Sequence, residues 1–553
     1  MIHWLGVAFA GDPPTDDVVA AALDAELTRT VDAWKGDPQA PYYLSYRMTD
    51  ARTWSLSARY GALDDDRTER SRVLDVSARV GSPARDSTHR LKGEYDDSNF
   101  HLAEQLPLEA SQPALQSAIW IATHKELGDA QERWVRVQAN QTVMVEDEDP
   151  SGDFSVEPPV VDLGPPADLV FDPAPWKPVL IELSSMLDAR DDVTQSSANV
   201  AAVSGTEYFV STEGTRIRQA REWVRVSLQV STTADDGMEI GLYRWKDVTD
   251  PSALPDAATL RTWAADLVAD LDEMRAAPAG DPYSGPVLLR GRAAGVFVHE
   301  VLGHRTEGQR QKDEDEGQTF TDKVGERVLP PTVTVIDDPT LADYAGEDLN
   351  GHYRYDQEGV AAQRAVLVED GVFKGFLMSR SPIEGFDRSN GHGRAQGQRQ
   401  PVARMANTIL QTSDPRPAAE LRKTLLAEVK RQGRSYGLLV DEIDGGFTLT
   451  GRVMPNAFNV RAVTAWKVYP DGRPDERVRG VDLVGTPLVA LSNVIAVGDD
   501  PAVFNGFCGA ESGMVPNSAV SPSLLLRTLE VQKKEKDTER PPLLPKPKAG
   551  GDT

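Results

Sequence analysis

The sequence feature that most constrains this chain is a pair of histidines five residues apart at the end of an apolar run. His299 and His304 enclose Glu300, and the preceding residues, GRAAGVFV, are mostly small or apolar and predict a buried helix. Burying two histidines and a glutamate without partners is costly, so the pattern favours a functional site. Imidazole is a common zinc ligand, and a glutamate next to a ligand is placed to act as a general base. The motif therefore predicts a metal centre on this helix.

The five-residue spacing predicts that the helix is distorted. On a regular helix, residues five apart point about 140° apart, whereas the two ligands of the familiar H-E-x-x-H pair share one face. We expect a π-bulge or kink at 300–304 to bring the two rings together, and Gly303 tolerates such a distortion. The alternative is a chance occurrence of His and Glu on a helix surface.

A catalytic zinc site needs a third protein ligand, and the residues offer two candidates. Glu307 lies three residues past His304, and Cys508 lies far downstream in NGFCGAESG. Cys508 is the only cysteine, which excludes an intrachain disulfide, and its glycine-rich surroundings are untypical of a packing cysteine. A thiolate at about 2.3 Å suits zinc well. The spacing alone leaves both candidates open.

The bulk composition narrows the class of protein. With 553 residues, a prior of roughly 100–200 residues per domain gives about three units. Hydrophobic residues make up 40% and charged residues 26%, as in soluble globular proteins. The formal net charge of −27 opposes binding of DNA or RNA, so we expect no nucleic-acid partner. No stretch reaches the roughly 18 apolar residues of a membrane-spanning helix.

Hydrophobic periodicity predicts an α+β fold. It comprises an N-terminal α+β domain with antiparallel sheets, a distorted helix that bears the motif, and a β-rich C-terminal domain. Helices are predicted at 16–37, 113–137 and 260–277. The predicted units are an N-terminal extension or signal remnant at 1–15, the N-terminal domain at 16–250 with an acidic, proline-rich insertion at 145–178, a helical segment with the motif at 251–329, the C-terminal domain with the third ligand at 330–530, and a disordered tail at 531–553.

The N-terminus gives a weak indication of compartment. The run MIHWLGVAFAGDPP ends its apolar patch in A-F-A, as a clipped signal peptide would, but lacks a basic start. We therefore expect a cytoplasmic protein, with export to the cell envelope as the alternative.

Several segments together resemble one known family. The run GPVLLRGRAAGVFVHEVLGHRTEG is similar to the zinc-motif segment of the TldD/PmbA family of metallopeptidases. Four further segments resemble that family's landmarks in the same order: YDQEGVAAQRAVLVEDGVFKGFL, SNGHGRAQGQRQPVARMANT, GLLVDEIDGGFTL and GFCGAESGMVPNSAVSPSLLLRTLEV. The likeness covers roughly residues 285–530.

The resemblance implies a role for each residue of the motif. His299 and His304 match the family's zinc histidines, and Glu300 matches its catalytic glutamate. Cys508 matches the third zinc ligand, which selects it over Glu307 and implies one Zn²⁺ per chain. Glu307 then becomes a candidate for orienting a ligand.

Two loops resemble segments that lie near the substrate cleft in this family. They contain the candidate substrate-binding residues His392, Gly393, Arg394, Arg404 and Asn407. Glycine permits close backbone approach, so an extended peptide is expected to pair there as an added strand. Arg394 or His392 is a candidate for stabilising the oxyanion of a tetrahedral intermediate. The alternative is that these loops are simple turns with buried arginines.

The resemblance implies a zinc-dependent metallopeptidase that hydrolyses unfolded or extended peptides. It also implies a dimer, either a homodimer or a heterodimer with a motif-lacking family member, and the added surface segments leave that choice open. The alternative function is a non-catalytic regulatory or interaction protein of the same family with a structural zinc. The intact glutamate favours the enzyme, because a structural site usually closes with four protein ligands. A processing enzyme for one modified peptide would differ only in its substrate.

Overall fold

The chain folds in the predicted α+β class. The computed structural model describes residues 17–91, 103–141, 149–452 and 457–534, so the predicted extension at 1–15 and most of the predicted tail lie outside the described residues. The helices are α1 (Val18–Ala33), α2 (Gln112–Gln141), α3 (Trp176–Leu187), α4 (Ala257–Ala276), α5 (Gly291–Val301), α6 (Gln309–Lys312), α7 (Ala418–Arg431) and α8 (Pro487–Ser492). Helices α1, α2 and α4 were predicted, whereas α3 and α7 were not.

The strands fall into an N-terminal and a C-terminal group. The first group is β1 (Pro41–Arg59), β2 (Ala62–Ser82), β3 (Arg85–Asp86), β4 (Glu104–Gln105), β5 (Val161–Leu163), β6 (Val193–Ser211), β7 (Arg216–Thr233) and β8 (Glu239–Val248). The second begins with β9 (Tyr283–Leu289), β10 (Val333–Asp337), β11 (Asp343–Tyr344), β12 (Glu347–Asp348), β13 (Ala365–Glu369), β14 (Val372–Phe373), β15 (Gly393–Arg394), β16 (Val402–Ala403) and β17 (Asn407–Thr412). It ends with β18 (Pro415–Arg416), β19 (Gly437–Thr448), β20 (Phe458–Val468), β21 (Glu476–Val478), β22 (Val481–Gly485), β23 (Val494–Gly498), β24 (Ala502–Ala510), β25 (Gly513–Ser521) and β26 (Leu524–Lys533).

Two long antiparallel hairpins form the N-terminal sheet. Strands β1 and β2 pair, β6 and β7 pair, and β1 joins β6, which gives the order β3-β2-β1-β6-β7-β5. Alternate residues of β1 enter two cores: Tyr46 and Met48 pack with α1 and α2, and Trp54 and Leu56 pack with α3 and α4. The segments YYLSYRM and TWSLSARYG each alternate apolar and polar residues and so predict two separate strands. They form the single strand β1, because β2 and β6 pair along both of its edges.

The acidic, proline-rich segment is extended, as predicted, but its described residues pack into the protein rather than form a linker. Phe154 and Phe171 are buried, and β5 pairs in parallel with β7. Arg380, itself buried, donates to the main-chain oxygen of Ser155 and forms an ion pair with Glu213 at 2.7 Å. The segment therefore connects the N-terminal sheet to the C-terminal half.

Two sheets of the C-terminal half lie on either side of α5. One has the order β14-β13-β10-β17-β25-β24, and the other runs β18-β23-β26-β22-β20-β19-β9 with β21 on β20. The two long helices of the predicted segment 251–329 belong to different hydrophobic cores. Helix α4 packs in a core of the N-terminal half, and α5 packs in the C-terminal core. Residues 531–533, expected in the tail, complete β26 and pair with β22.

The helices in the described ranges lack the combination of length and hydropathy that crossing a bilayer requires.

The Arg380 contacts predict a strong dependence of stability on this side chain. Arg380 is 2% exposed and Glu213 is 23% exposed, so Arg380→Ala removes a partly buried ion pair. A hydrogen bond to a charged group contributes about 1.5–3 kcal/mol, and we expect the free energy of unfolding to fall by about that amount. The segment 149–163 should also become sensitive to protease. Arg388→Ala is the matched control, because Arg388 is 62% exposed and pairs with Glu157 of the same segment. A surface pair contributes about 0–1 kcal/mol. Equal stability of the two variants would contradict this account.

Candidate metal centre

Helix α5 is buried on nearly all sides because small residues let it approach the β24–β25 hairpin. A methyl group added at Gly295 would lie 3.1 Å from the main-chain oxygen of Ala519, and one added at Gly291 would lie 2.8 Å from Cβ of Ala502. Only Arg292 among its residues is not buried. The run GRAAGVFV is therefore a close-packing sequence, and it carries the histidine motif into the interior.

The helix is distorted at the position that the five-residue spacing predicted, but the distortion is of a different kind. Helix α5 ends at Val301, and residues 303–306 form a tighter 3₁₀ turn rather than a π-bulge. The rings of His299 and His304 then lie with their centroids 5.0 Å apart. Gly303 is needed for space, because a methyl group there would lie 1.9 Å from Sδ of the buried Met405.

The structure brings His299, His304 and Cys508 into one buried cluster. Their ligand atoms all lie within 4.8 Å of one another, and Sγ of Cys508 is 3.3 Å from Nε2 of His304. Burial alone would raise the pKa of Cys508, but the charges of His304 and His299 hold it well below its ordinary value. Burial alone would lower the pKa of His304, but the negative charges of Cys508 and Glu307 raise it well above its ordinary value. The cluster therefore stabilises a thiolate beside positive charge.

The donor set fits a zinc ion. Two imidazoles and a thiolate are preferred zinc ligands, and three of them leave a position open. The amide nitrogen of Asn517 lies 3.1 Å from Nδ1 of His299, which orients that ring. Oε2 of the buried Glu300 has no hydrogen-bond partner among the described residues, and Glu300 lines the same cavity as the cluster. An unpaired buried carboxylate oxygen is costly, so it is typical of a functional position.

Glu307 supports the cluster rather than joining it. Its Oε2 lies 3.3 Å from Nδ1 of His304 and accepts a hydrogen bond from Nε of Arg310 at 2.8 Å. Its Oε1 lies 3.3 Å from Nε of Arg404. Burial would raise the pKa of Glu307, but the charges of His304 and Arg310 lower it to about 2. An ionised Glu307 is placed to orient the ring of His304, the role that the sequence suggested.

Four charged or polar contributors and one glycine were not predicted from the sequence. Arg310 donates to Glu307, Glu316 and Glu511, so it holds three carboxylates beside the site. Asn517 orients His299, as described above. A methyl group added at Gly446 would lie 2.8 Å from Cγ of Glu300, so this glycine lets β19 approach the glutamate. All of these except Glu316 lie in or beside the segments that carry the family resemblance, but periodicity does not reveal such contacts.

The five candidate substrate-binding residues are all buried, and none lines the cavity of about 430 Å³ at the cluster, which corrects the expectation for them. Arg404 donates to the main-chain oxygen of Cys508 at 2.7 Å, and Arg394 donates to that of Pro516 at 2.7 Å. Nε2 of His392 lies 3.3 Å from Oδ1 of Asp337.

The remaining two candidates hold the same loops together. Nδ2 of Asn407 donates to the main-chain oxygens of Asp338 and Leu341. A methyl group added at Gly393 would lie 2.1 Å from Oε2 of Glu358, so glycine is needed there for packing. These loops therefore brace the ligand-bearing strands, and the alternative of turns with buried arginines describes them better than substrate contact.

Comparisons with known proteins indicate a family of metallopeptidases. A family model described as PmbA/TldA metallopeptidase C-terminal domain matches residues 282–533. A Methanothermobacter thermautotrophicus protein named metalloprotease is 30% identical over 382 residues, which cover 66% of this chain and 75% of that protein. A Haemophilus influenzae protein named metalloprotease TldD homolog is 27% identical over 369 residues, which cover 64% of this chain and 71% of that protein. The structure of TldE from Thermococcus kodakarensis has a TM-score of 0.58 at 14% identity, covers 92% of this chain and 100% of its own, and so shares the fold.

The family model and the named relatives place the chain in the metallopeptidase class. The chain belongs to the TldD/PmbA family of metallopeptidases, as the sequence segments indicated.

The packing at Gly303 predicts that this position does not tolerate a side chain. Overpacking a confined core position costs about 1–3 kcal/mol, so Gly303→Ala should lower the Tm. Gly128→Ala in α2 is the control, because a methyl group there meets no atom within 4 Å. We expect that control to be neutral or more stable by about 1 kcal/mol, since alanine favours helix. Thermal unfolding measures both variants, and an unchanged Tm for Gly303→Ala would contradict the packing argument.

The cluster predicts that bound zinc depends on the Cys508 thiolate. Cys508→Ala should hold clearly less zinc than the unmodified protein after dialysis, as measured by elemental analysis. Val515→Ala is the matched control, because Val515 is the buried partner of Cys508 across the β24–β25 ladder but offers no ligand atom. Equal zinc in the Cys508→Ala variant and the unmodified protein would exclude Cys508 as a ligand.

Proposed function

We propose that this chain is a zinc-dependent peptidase that hydrolyses peptide bonds in unfolded or extended chains. In this proposal His299, His304 and Cys508 hold one zinc ion, and Glu300 is the catalytic residue. The observation that carries it is that Glu300, whose buried Oε2 has no hydrogen-bond partner among the described residues, lines the same cavity as the three ligands. A carboxylate kept free beside three ligands is the arrangement that a hydrolase needs.

The chain's own residues would move the proton. When bound, a zinc ion supplies Lewis acidity, which polarises a carbonyl oxygen and lowers the pKa of water. The carboxylate of Glu300 would accept the proton of the attacking water and then deliver it to the departing amine nitrogen. Asn517 and Glu307 would hold the rings of His299 and His304 in place.

The borders of the cavity support an extended peptide as the substrate. One border is β24, the last strand of its sheet. The other is β19, which pairs with β9 only through residues 438–440 and has no second partner strand among the described residues at 445–448. Edge strands present main-chain donors and acceptors, so an extended peptide is able to pair with them whatever its side chains. Most of the backbone of a folded protein is already paired within its own structure and is not free to pair in this way.

A regulatory protein with a structural zinc is less well supported. A structural zinc site usually closes with four protein ligands, and the described residues offer a cluster of three. The dimer, whether of identical chains or with a motif-lacking relative, stays a prediction, as do the domain boundaries.

The proposed mechanism predicts that turnover depends on the Glu300 carboxylate but metal binding does not. General acid–base catalysis contributes about 10²–10⁴-fold, so Glu300→Gln should lower kcat on an unfolded test peptide by at least that range. Its zinc content should equal that of the unmodified protein. Glu420→Gln, on the exposed surface of α7, is the control and should leave both quantities unchanged. Turnover near that of the unmodified protein in Glu300→Gln would exclude this mechanism.

A further inference from the structure

The space between β19 and β24, along α5, forms a groove that leads to the metal cluster. Two aromatic side chains of the N-terminal half contact both borders of this groove. Tyr243 and Trp245, two residues apart on the edge strand β8, share one face of that strand. Their rings stack with centroids 4.9 Å apart and planes inclined by 23°. We refer to these two side chains as the aromatic bridge.

The aromatic bridge is fastened to both borders of the groove. Oη of Tyr243 donates to the main-chain oxygen of Ile443 on β19 at 3.2 Å. Nε1 of Trp245 donates to the main-chain oxygen of Asn505 on β24 at 2.9 Å. The guanidinium of Arg292, from the first turn of α5, lies 4.6 Å from the centre of the Trp245 ring. The aromatic bridge therefore contacts β19, β24 and α5, which lies between them.

The groove continues on both sides of this crossing. The cavity at the cluster is lined by residues 445–448 of β19, by Val296, His299 and Glu300 of α5, and by Phe504 and residues 506–510 of β24. A second cavity of about 550 Å³ is lined by earlier residues of the same elements, namely 441–442, 291–292 and 502. The aromatic bridge contacts β19 at Ile443, between the two sets of lining residues, and β24 at Asn505, next to Phe504, and it occupies one main-chain acceptor on each border. A peptide paired along β24 or β19 would lose its pairing partners at that point.

The spacing between the aromatic bridge and the cluster follows from two independent measures. Along β24, Asn505 and Cys508 are three residues apart, or about 10 Å at 3.3 Å per residue. Along α5, Arg292 and His299 are seven residues apart, which is also about 10 Å at 1.5 Å per residue. An extended peptide needs about 3.3 Å per residue, so this length holds roughly three residues.

We infer that the aromatic bridge closes one end of the substrate groove and limits the peptide on that side of the scissile bond to about three residues. The inference rests on the proposed peptidase function and adds to it a rule for where a chain is cut. The enzyme should then remove short pieces from one end of an unfolded chain, and internal cuts far from that end should be rare.

The test compares product lengths at early time points. Unfolded peptides labelled at either the N-terminus or the C-terminus are digested, and the labelled fragments are sized by mass spectrometry. With the unmodified protein, only one of the two labels should be found on fragments of about three residues or fewer. A variant carrying both Tyr243→Ala and Trp245→Ala should release longer fragments from that same end, because the groove then continues into the second cavity.

Two controls separate the aromatic bridge from general effects on packing. A variant carrying Tyr243→Phe and Trp245→Phe keeps two rings in the groove and should retain the short fragments. Tyr436→Ala breaks a second aromatic stack, with Tyr283, of nearly the same geometry at 5.0 Å and 23°. Tyr436 precedes the first residue of β19, at the end opposite residues 445–448, so this change should not alter fragment length. Circular dichroism and zinc content confirm that each variant is folded. If the double alanine variant does not fold, the single variant Trp245→Ala replaces it.

The outcomes distinguish this inference from the function on which it rests. Long fragments from both ends with the unmodified protein, or unchanged short fragments with a folded double alanine variant, would overturn the aromatic bridge as the limit. Absence of any peptide cleavage by the unmodified protein would instead overturn the proposed function and this inference with it.

Discussion

The close contact between α5 and the β24–β25 hairpin determines where every candidate metal ligand lies. Gly291 and Gly295 let the helix approach the hairpin, and the approach places His299 beside Asn517 and faces the end of the helix toward Cys508. The helix stops after Val301, so His304 turns back toward the same point. A bulkier residue at either glycine would move the histidines away from the cysteine by more than a metal–ligand bond tolerates.

Buried charge then stabilises the cluster. Glu307 contacts His304, Arg310 and Arg404, and Arg404 also donates to the main-chain oxygen of Cys508. The carboxylate of Glu307 and the guanidinium of Arg404 thus connect His304 to Cys508. Such a network stabilises the protein only when nearly every member is paired, which explains why arginines from distant loops converge there. Glu300 lines the cavity, and its buried Oε2 has no hydrogen-bond partner among the described residues.

The sequence predicted the local features of this site better than the long-range ones. Helix α5, the distortion after Glu300 and the antiparallel N-terminal strands follow from patterns that neighbouring residues set. The pairing of Cys508 with the histidines came from the family resemblance, because no local pattern connects residues two hundred positions apart. The buried roles of His392 and Arg394 were not predictable, since polar residues in glycine-rich loops look the same whether they face a substrate or a buried partner. The continuity of β1 was missed because partner strands on both edges override its polar middle.

The central claim is that the metal is held by two histidine nitrogens and the sulfur of Cys508. X-ray absorption at the zinc edge of the zinc-loaded protein tests it most directly, because sulfur and nitrogen ligands differ in distance. The account predicts one sulfur at about 2.3 Å and nitrogens at about 2.0–2.1 Å, with the sulfur lost in Cys508→Ala. A first shell of nitrogen and oxygen alone in the unmodified protein, as a Glu307 ligand would give, would contradict it.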